Sequence, residues 1–314
     1  MTYRAKLAST AFILDHVVDY ARVASTERFA EADRDVVAAI IEEAAKLSND
    51  VIAPLDRGGD LNPARLENGG VISSPGFAEA FGQIAEGGWI GMLADPEFGG
   101  MGLPLTLGSV VNEMMSGACL SLALEPLMCQ GQIEALEHHA SDEIKALYLP
   151  KLVSGEWCGT MNLTESGAGS DVGALRTKAT RNDDGSYDIT GQKIFITWGD
   201  NDFSGNICHL VLARLPDGAA GTKGISLFLV PKFIPDENGE AGEANSLSVV
   251  SLEHKLGIHG SPTCVMDYNG AKGWLVGNEH EGMKCMFTMM NNARLGVGMQ
   301  GVGVAEAATQ KAHA

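Results

Sequence analysis

No two of the six cysteines in this 314-residue sequence form a C-x-x-C pair. They are scattered at positions 119, 129, 158, 208, 264 and 285, which points to reduced thiols and against a metal site. Basic charge is scarce as well: 22 Lys and Arg stand against 40 Asp and Glu, a formal net charge of −18. With no basic field to meet phosphate backbones or anionic lipid, neither nucleic acid nor a membrane is an expected partner; a small phosphorylated ligand held by a few local donors is compatible with this charge. The N-terminus lacks a basic region followed by an apolar run, so no signal peptide is expected and the cytoplasm is the expected compartment. No apolar run reads as long enough to span a membrane. Internal repeats and low-complexity tracts are missing too.

What is present is a 45% hydrophobic chain, long enough for two or three domains with their own cores. Its periodicity changes twice. Residues 1–156 read as an all-helical domain, 157–273 as a β domain of sandwich or barrel type, and 274–314 as the start of a helical bundle. The fold class is therefore α+β.

In the helical part, Phe12, Val17 and Tyr20 suggest a short first helix. A longer one starts at Asp33, a plausible N-cap, with Val36, Ile40, Ala44, Leu47 and Val51 on one face and Pro54 as its stop. Ser74 and Pro75 read as the start of a helix that buries Phe77, Phe81 and Ile84. After the glycine-rich DPEFGGMGLP loop, Pro104–Gly117 and Leu120–His138 read as two helices, the second closed by His138 and His139 against the helix dipole. Ser141 caps a last helix that ends at Gly155. In the β part, Lys178–Arg181, Tyr187–Thr197, Ile207–Arg214, Gly224–Val230, Leu247–Leu252 and Cys264–Tyr268 read as strands. The acidic stretch from Phe233 to Ser246 reads as a solvated connection.

Two stretches carry chemistry. The first, WCGTMNLTESGAGSDV from Trp157 to Val172, is a short strand followed by Thr164 and Glu165 and a loop with Gly167 and Gly169 at alternate positions. Glycine permits positive φ and close backbone approach to a ligand, and successive free N–H groups form a concavity for anions or a polar ring edge. Thr164 and Ser170 add hydroxyls at the rims. An ordinary Gly/Ser turn has the same composition. The second stretch, GQKIFITWGD from Gly191 to Asp200, alternates Ile194 and Ile196 with Phe195 and Thr197, so an aromatic platform lies beside a hydroxyl.

Together these stretches resemble the middle-domain signature of the acyl-CoA dehydrogenases, T-E-P-G-A-G-S-D followed by K-x-W-I-T. Ser166 stands in place of the usual Pro and Phe195 in place of the usual Trp. The DPEFGGMGLP loop and HKLGIHGSPT (His254 to Thr263) resemble two further landmarks of the family. The resemblance implies FAD-dependent α,β-dehydrogenation of a coenzyme A thioester. It places Met161, Leu163, Thr164, Gly169, Ser170, Phe195 and Thr197 against FAD, and Ser170, Asn291 and Arg294 near the acyl-CoA substrate. Asn291 departs from the family's usual acid. Electron-transfer flavoprotein is the implied electron acceptor, and a homodimer or homotetramer the implied assembly.

In most of the family the catalytic base is a Glu well into the C-terminal helical domain; other members place it directly before the helix arginine, where this chain has Ala293. No carboxylate here matches either position, so these 314 residues are expected to lack the base, and no catalytic residue is assigned. Glu165 reads as a structural acceptor for nearby N–H groups. The acidic insert, the LGIHGSPT block and the GAKGWLVG connection look most like the larger bacterial members, among them the 3-methylmercaptopropionyl-CoA dehydrogenases. The alternative is a nucleic-acid-associated flavoprotein of the same fold, resembling the alkylation-response branch; the acidic total opposes it.

Overall fold

The computed structural model describes residues 3–314. Its helices are α1 (Leu7–His16), α2 (Tyr20–Ala24), α3 (Arg34–Lys46), α4 (Asp56–Leu61), α5 (Phe77–Glu86), α6 (Leu105–His139), α7 (Asp142–Ser154) and α8 (Gly282–His313). Its strands are β1 (Arg65–Glu67), β2 (Gly70–Ile72), β3 (Trp157–Asn162), β4 (Lys178–Arg181), β5 (Tyr187–Thr197), β6 (Asn206–Arg214), β7 (Ile225–Pro231), β8 (Phe233–Pro235), β9 (Ala241–Ala244), β10 (Leu247–Leu252) and β11 (Thr263–Val276). The arrangement is α+β, as the periodicity implies. Strand β11 runs on to Val276 because its last three residues pair with Leu227–Leu229 of β7.

Asp33 caps α3 as expected, its carboxylate accepting from the amides of Asp35 and Val36. The buried face differs from the expected one: Val37, Ile41, Ala44 and Ala45 point inward, while Val36 is exposed. Nor does Pro54 stop the helix. A π-helical stretch, Leu47–Ile52, and a 3₁₀ turn, Ala53–Leu55, carry the chain into α4. The widened and tightened turns accommodate the donor that Pro54 lacks. Helix α5 buries Phe77, Phe81 and Ile84 as read, but starts later than Pro75, after Gly76 in a left-handed conformation.

The two helices expected before residue 139 meet end to end in α6, Leu105–His139, and the break between them falls at Cys119, within the expected Gly117–Leu120 gap. Helix α6 passes through a kink at Cys119, where φ is −156° and ψ is 97°. Taken across the break, Leu105–His139 is long and apolar enough, by length and composition, to cross a membrane, which corrects the reading of no such run. In this fold 56% of its most apolar 18-residue window is buried. It is the central element of the helical core, packed by α8 along one side and β3 along another.

The middle domain is a barrel. Hydrogen-bonded neighbours close the ring β11–β5–β4–β6–β7 and back to β11, with β3 added beside β6 and β10 beside β11. Strand β3 runs parallel to β6, with Trp157 opposite Asn206 and Asn162 opposite Val211. Inside the ring lies a separate apolar core that includes Ile189, Ile196, Val211, Phe228, Val230 and Met266. The acidic connection after β7 forms a hairpin, β8 with β9, and β9 is exposed along its length, as a solvated connection implies. Asp200 joins the two domains: its carboxylate accepts from the Val71 amide at 3.0 Å and pairs with Lys232 at 2.6 Å.

Candidate functional site

Strand β3 delivers the chain into the loop 163–171 at the edge of the barrel, where β5 holds it at three points. The amide of Ile194 donates to the Thr164 carbonyl at 2.8 Å. The Lys193 ammonium donates to the Leu163 carbonyl at 2.9 Å and to Glu165 Oε1 at 2.9 Å. One turn earlier in the fold, Thr160 Oγ1 donates to the Thr197 carbonyl at 2.7 Å. Within the loop, Glu165 and Ala168 exchange both backbone hydrogen bonds, at 3.1 and 3.0 Å, leaving Ser166 and Gly167 at the tip. Met161, Leu163, Thr164, Gly169 and Ser170 thus come from one continuous segment, tied directly to the strand that carries Phe195 and Thr197.

Strict alternation fails in β5. Cys264 pairs with Ile196 and Met266 with Lys193, so Ile194 and Phe195 together face Val265. This two-against-one bulge turns the strand locally. Phe195 takes φ of +60° and is 58% exposed, while Lys193 and Ile196 are buried. A bulky residue in the left-handed region costs backbone energy, and here the outcome is an aromatic face presented to solvent beside the loop.

The glycines leave room. Neither Gly167 nor Gly169 has positive φ, so conformational freedom is not their role. A Cβ built on Gly167 would meet nothing within 4 Å, and one on Gly169 only the Thr164 methyl at 3.8 Å. The amides of Gly167, Gly169 and Ser170 make no backbone hydrogen bond among the described residues. Open space, free donors, two rim hydroxyls and an exposed aromatic face suit a flat ligand with a polar edge.

Glu165 lies beneath this surface and is fully engaged. It accepts from the Arg176 amide at 2.6 Å, the Thr177 amide at 3.0 Å, Thr177 Oγ1 at 2.6 Å and Lys193. Burial works to raise its pKa, but Lys193 and these donors hold the carboxyl below its usual range. Burial brings Lys193 down to about 8, with Glu165 opposing the shift. The structural role read for Glu165 is the one the geometry gives it.

The N-terminal-domain model of acyl-CoA dehydrogenase matches residues 38–156, and the middle-domain model matches residues 160–271. The chain belongs to the acyl-CoA dehydrogenase family. It is 46% identical over 312 residues to the 3-methylmercaptopropionyl-CoA dehydrogenase of Ruegeria pomeroyi, covering 99% of this chain and 53% of that protein. The chain spans about half the length of the curated relatives it matches first. Among solved structures it resembles butyryl-CoA dehydrogenase from Megasphaera elsdenii, with TM-score 0.73 and 25% identity, covering 88% of this chain and 67% of that one. An acyl-CoA dehydrogenase complexed with FAD from Bacillus anthracis shares the fold at TM-score 0.71 and 23% identity, covering 88% of this chain and 43% of that one.

Of the acyl-CoA dehydrogenase positions read from sequence, two stand apart from the loop. Asn291 and Arg294 lie on α8, where Arg294 donates to Asn291 Oδ1 at 2.7 Å and its guanidinium sits 5.3 Å from the Phe287 ring centre. No hydrogen bond joins either to the signature loop among the described residues. Lys193 was missed. Its signal is a lone lysine inside a run of strand residues, where a buried charge requires a partner.

Cysteines far apart in sequence do meet in space. Cys129, Cys158 and Glu125 are buried, with one ligand-capable atom of each within 4.8 Å of the others. Burial pushes the Glu125 carboxyl and the Cys158 thiol well above their usual ranges, while the hydrogen bond from Cys158 lowers the Cys129 thiol. The Gly159 amide donates to Cys129 Sγ at 3.3 Å.

Proposed function

We propose that this chain forms the flavin-contacting part of an FAD-dependent acyl-CoA dehydrogenase acting on the Cα–Cβ bond of a coenzyme A thioester. The observation that carries the reading is the pairing of an open, donor-rich loop with an exposed aromatic bulge, held together through Thr164 and Ile194. Bound FAD supplies the hydride acceptor of such a reaction. The hydroxyls of Thr164 and Ser170 and the free amides at Gly169 and Ser170 would hold its polar edge. Phe195 would cover a ring face, with Met161, Leu163 and Thr197 completing the contact. Ser170, Asn291 and Arg294 would serve the coenzyme A side.

Glu165 is not the proton acceptor of this proposal, because four donors already occupy its carboxylate. Ala293, directly before Arg294, has no group to take a proton, so no base is assigned to these residues. The substrate favoured is 3-methylmercaptopropionyl-CoA, on the strength of the 46% identity along nearly the whole chain. Electron-transfer flavoprotein as acceptor, a cytoplasmic location and a dimeric or tetrameric assembly belong to the same proposal.

The test is a visible absorbance spectrum of the purified chain, repeated after adding 3-methylmercaptopropionyl-CoA. A flavin band is the expected result, and bleaching would place proton removal among these residues as well. A chain reconstituted with excess FAD that still shows no flavin band would overturn the reading.

A further inference from the structure

The residues that meet the flavin in the proposed function do not fix their own positions. The main chain on either side of Thr164 is held from below by Lys193, a side chain with no solvent exposure. Its ammonium bridges two residues of the loop, the Leu163 carbonyl and the Glu165 carboxylate, each at 2.9 Å. The next residue, Ile194, takes the Thr164 carbonyl. Leu163 and Glu165 are therefore tied to Lys193 and Thr164 to Ile194, at the start of the bulge that presents Phe195.

We infer that Lys193 and Glu165 form a positioning pair, which sets the register between the signature loop and the aromatic bulge and balances charge beneath the flavin site. The inference rests on the flavin reading above. The simpler role is that of a buried ion pair whose halves need each other. The bond to Leu163 separates the two. Glu165 keeps three donors when Lys193 is removed, the Arg176 amide and both Thr177 groups, so its carboxylate remains charged and unbalanced. The Leu163 carbonyl has no second partner among the hydrogen bonds of the described residues.

The two halves of the role predict different behaviour in a pair of variants. Lys193→Met removes the tie to Leu163 and leaves a buried negative charge. That charge disfavours the gain of electrons by a neighbouring flavin, so the midpoint potential should fall. Adding Glu165→Gln removes the charge but does not restore the tie. The Lys193→Met/Glu165→Gln chain should recover its thermal stability and a near-wild-type potential, while FAD affinity remains weaker by about tenfold, the size of one lost charge-assisted hydrogen bond.

The experiment measures FAD dissociation constant, flavin midpoint potential at pH 7, where Lys193 is mostly charged, and melting temperature for the wild-type, Lys193→Met and double-variant chains. The expected pattern is weak affinity in both variants with a lowered potential in the single one alone. Recovery of affinity together with stability in the double variant would reduce the pair to a structural ion pair and overturn the inference. If Lys193→Met fails to fold, the double variant, which carries no buried unpaired charge, decides the affinity question by itself. A wild-type chain that takes up no flavin overturns the flavin reading and this inference with it; a flavin-loaded wild type with unaltered variants overturns this inference alone.

Discussion

Trp198 donates its indole N–H to the Ser121 carbonyl at 3.2 Å, joining the end of β5 to α6 just after the kink at Cys119. Trp198 is wholly buried, so its indole N–H needs a partner inside the fold, and the Ser121 carbonyl supplies it. The strand that bears Phe195 and Thr197 is thereby anchored to the longest helix of the fold.

Replacing Trp198 with Phe keeps an aromatic ring but leaves the Ser121 carbonyl buried without that donor. A loss of about 1–3 kcal/mol in unfolding free energy is expected, read from urea denaturation. An unchanged urea midpoint would show that the anchor contributes nothing.

The glycines of α8 divide into two sets. A Cβ on Gly303 would stand 2.5 Å from the Glu113 carbonyl oxygen, and one on Gly296 would stand 2.4 Å from Leu127 Cδ1, whereas Gly298 and Gly301 face open space. Gly303→Ala should destabilise by about 1–3 kcal/mol through forced separation of α6 and α8. Gly298→Ala should stabilise by about 0.5–1 kcal/mol, since it adds helix propensity and meets nothing. Melting temperatures of the two variants, moving in opposite directions, check the assignment.

Phe195 supplies a test that separates fold from ligand. Its φ of +60° suits glycine better than phenylalanine, and the residue is mostly exposed. Phe195→Gly should therefore match or exceed the wild-type melting temperature without flavin, yet bind FAD more weakly. A variant that loses stability in the flavin-free state would show that the ring serves the core.

Acid should unfold the barrel through His209. Burial holds its pKa down at about 3, and it is fully enclosed, with Nδ1 3.3 Å from the Asn162 side-chain amide. In the unfolded chain an imidazole titrates near 6.5. Between these values the unfolded state binds the extra proton, so stability falls as pH drops through about 6.5 towards 3, by up to about 1.4 kcal/mol per pH unit. His209→Gln should flatten that slope in urea titrations run across pH 4–7. A slope equal to the wild type would assign the acid sensitivity to other groups.

All six cysteines are buried and free. Burial raises the Cys119 and Cys264 thiols to about 12, so these two hold little nucleophilic thiolate, and enclosure in the fold keeps reagent from the other four, Cys129 with its lowered pKa included. A disulfide reagent should react slowly with the native chain and label all six only on denaturation; rapid labelling of a native thiol would contradict the packing.

Much of the fold is legible in local signals. Asp33, Ser141 and Gly155 act at helix ends because their side chains or backbone freedom satisfy groups within a few residues. The strands from Lys178 to Leu252 follow the turns between them. The Gly117–Leu120 break is legible too, since Cys119 there is extended between two helical runs. What misleads is also local: Pro54 reads as a helix end, but a π turn and a 3₁₀ turn carry the chain through it.

The amino-acid sequence alone determined the order of helical, β and helical regions and the loop and strand that carry the candidate site, because capping, periodicity and turn chemistry act over a few residues. Only the tertiary structure decided how those two segments meet. The bulge that exposes Phe195 and the buried Lys193 that ties Leu163 to Glu165 depend on register with β11 and on contacts almost thirty residues apart. Such contacts form when long-range packing removes water from a charge and obliges it to find partners, and no short stretch of sequence encodes which partners those are.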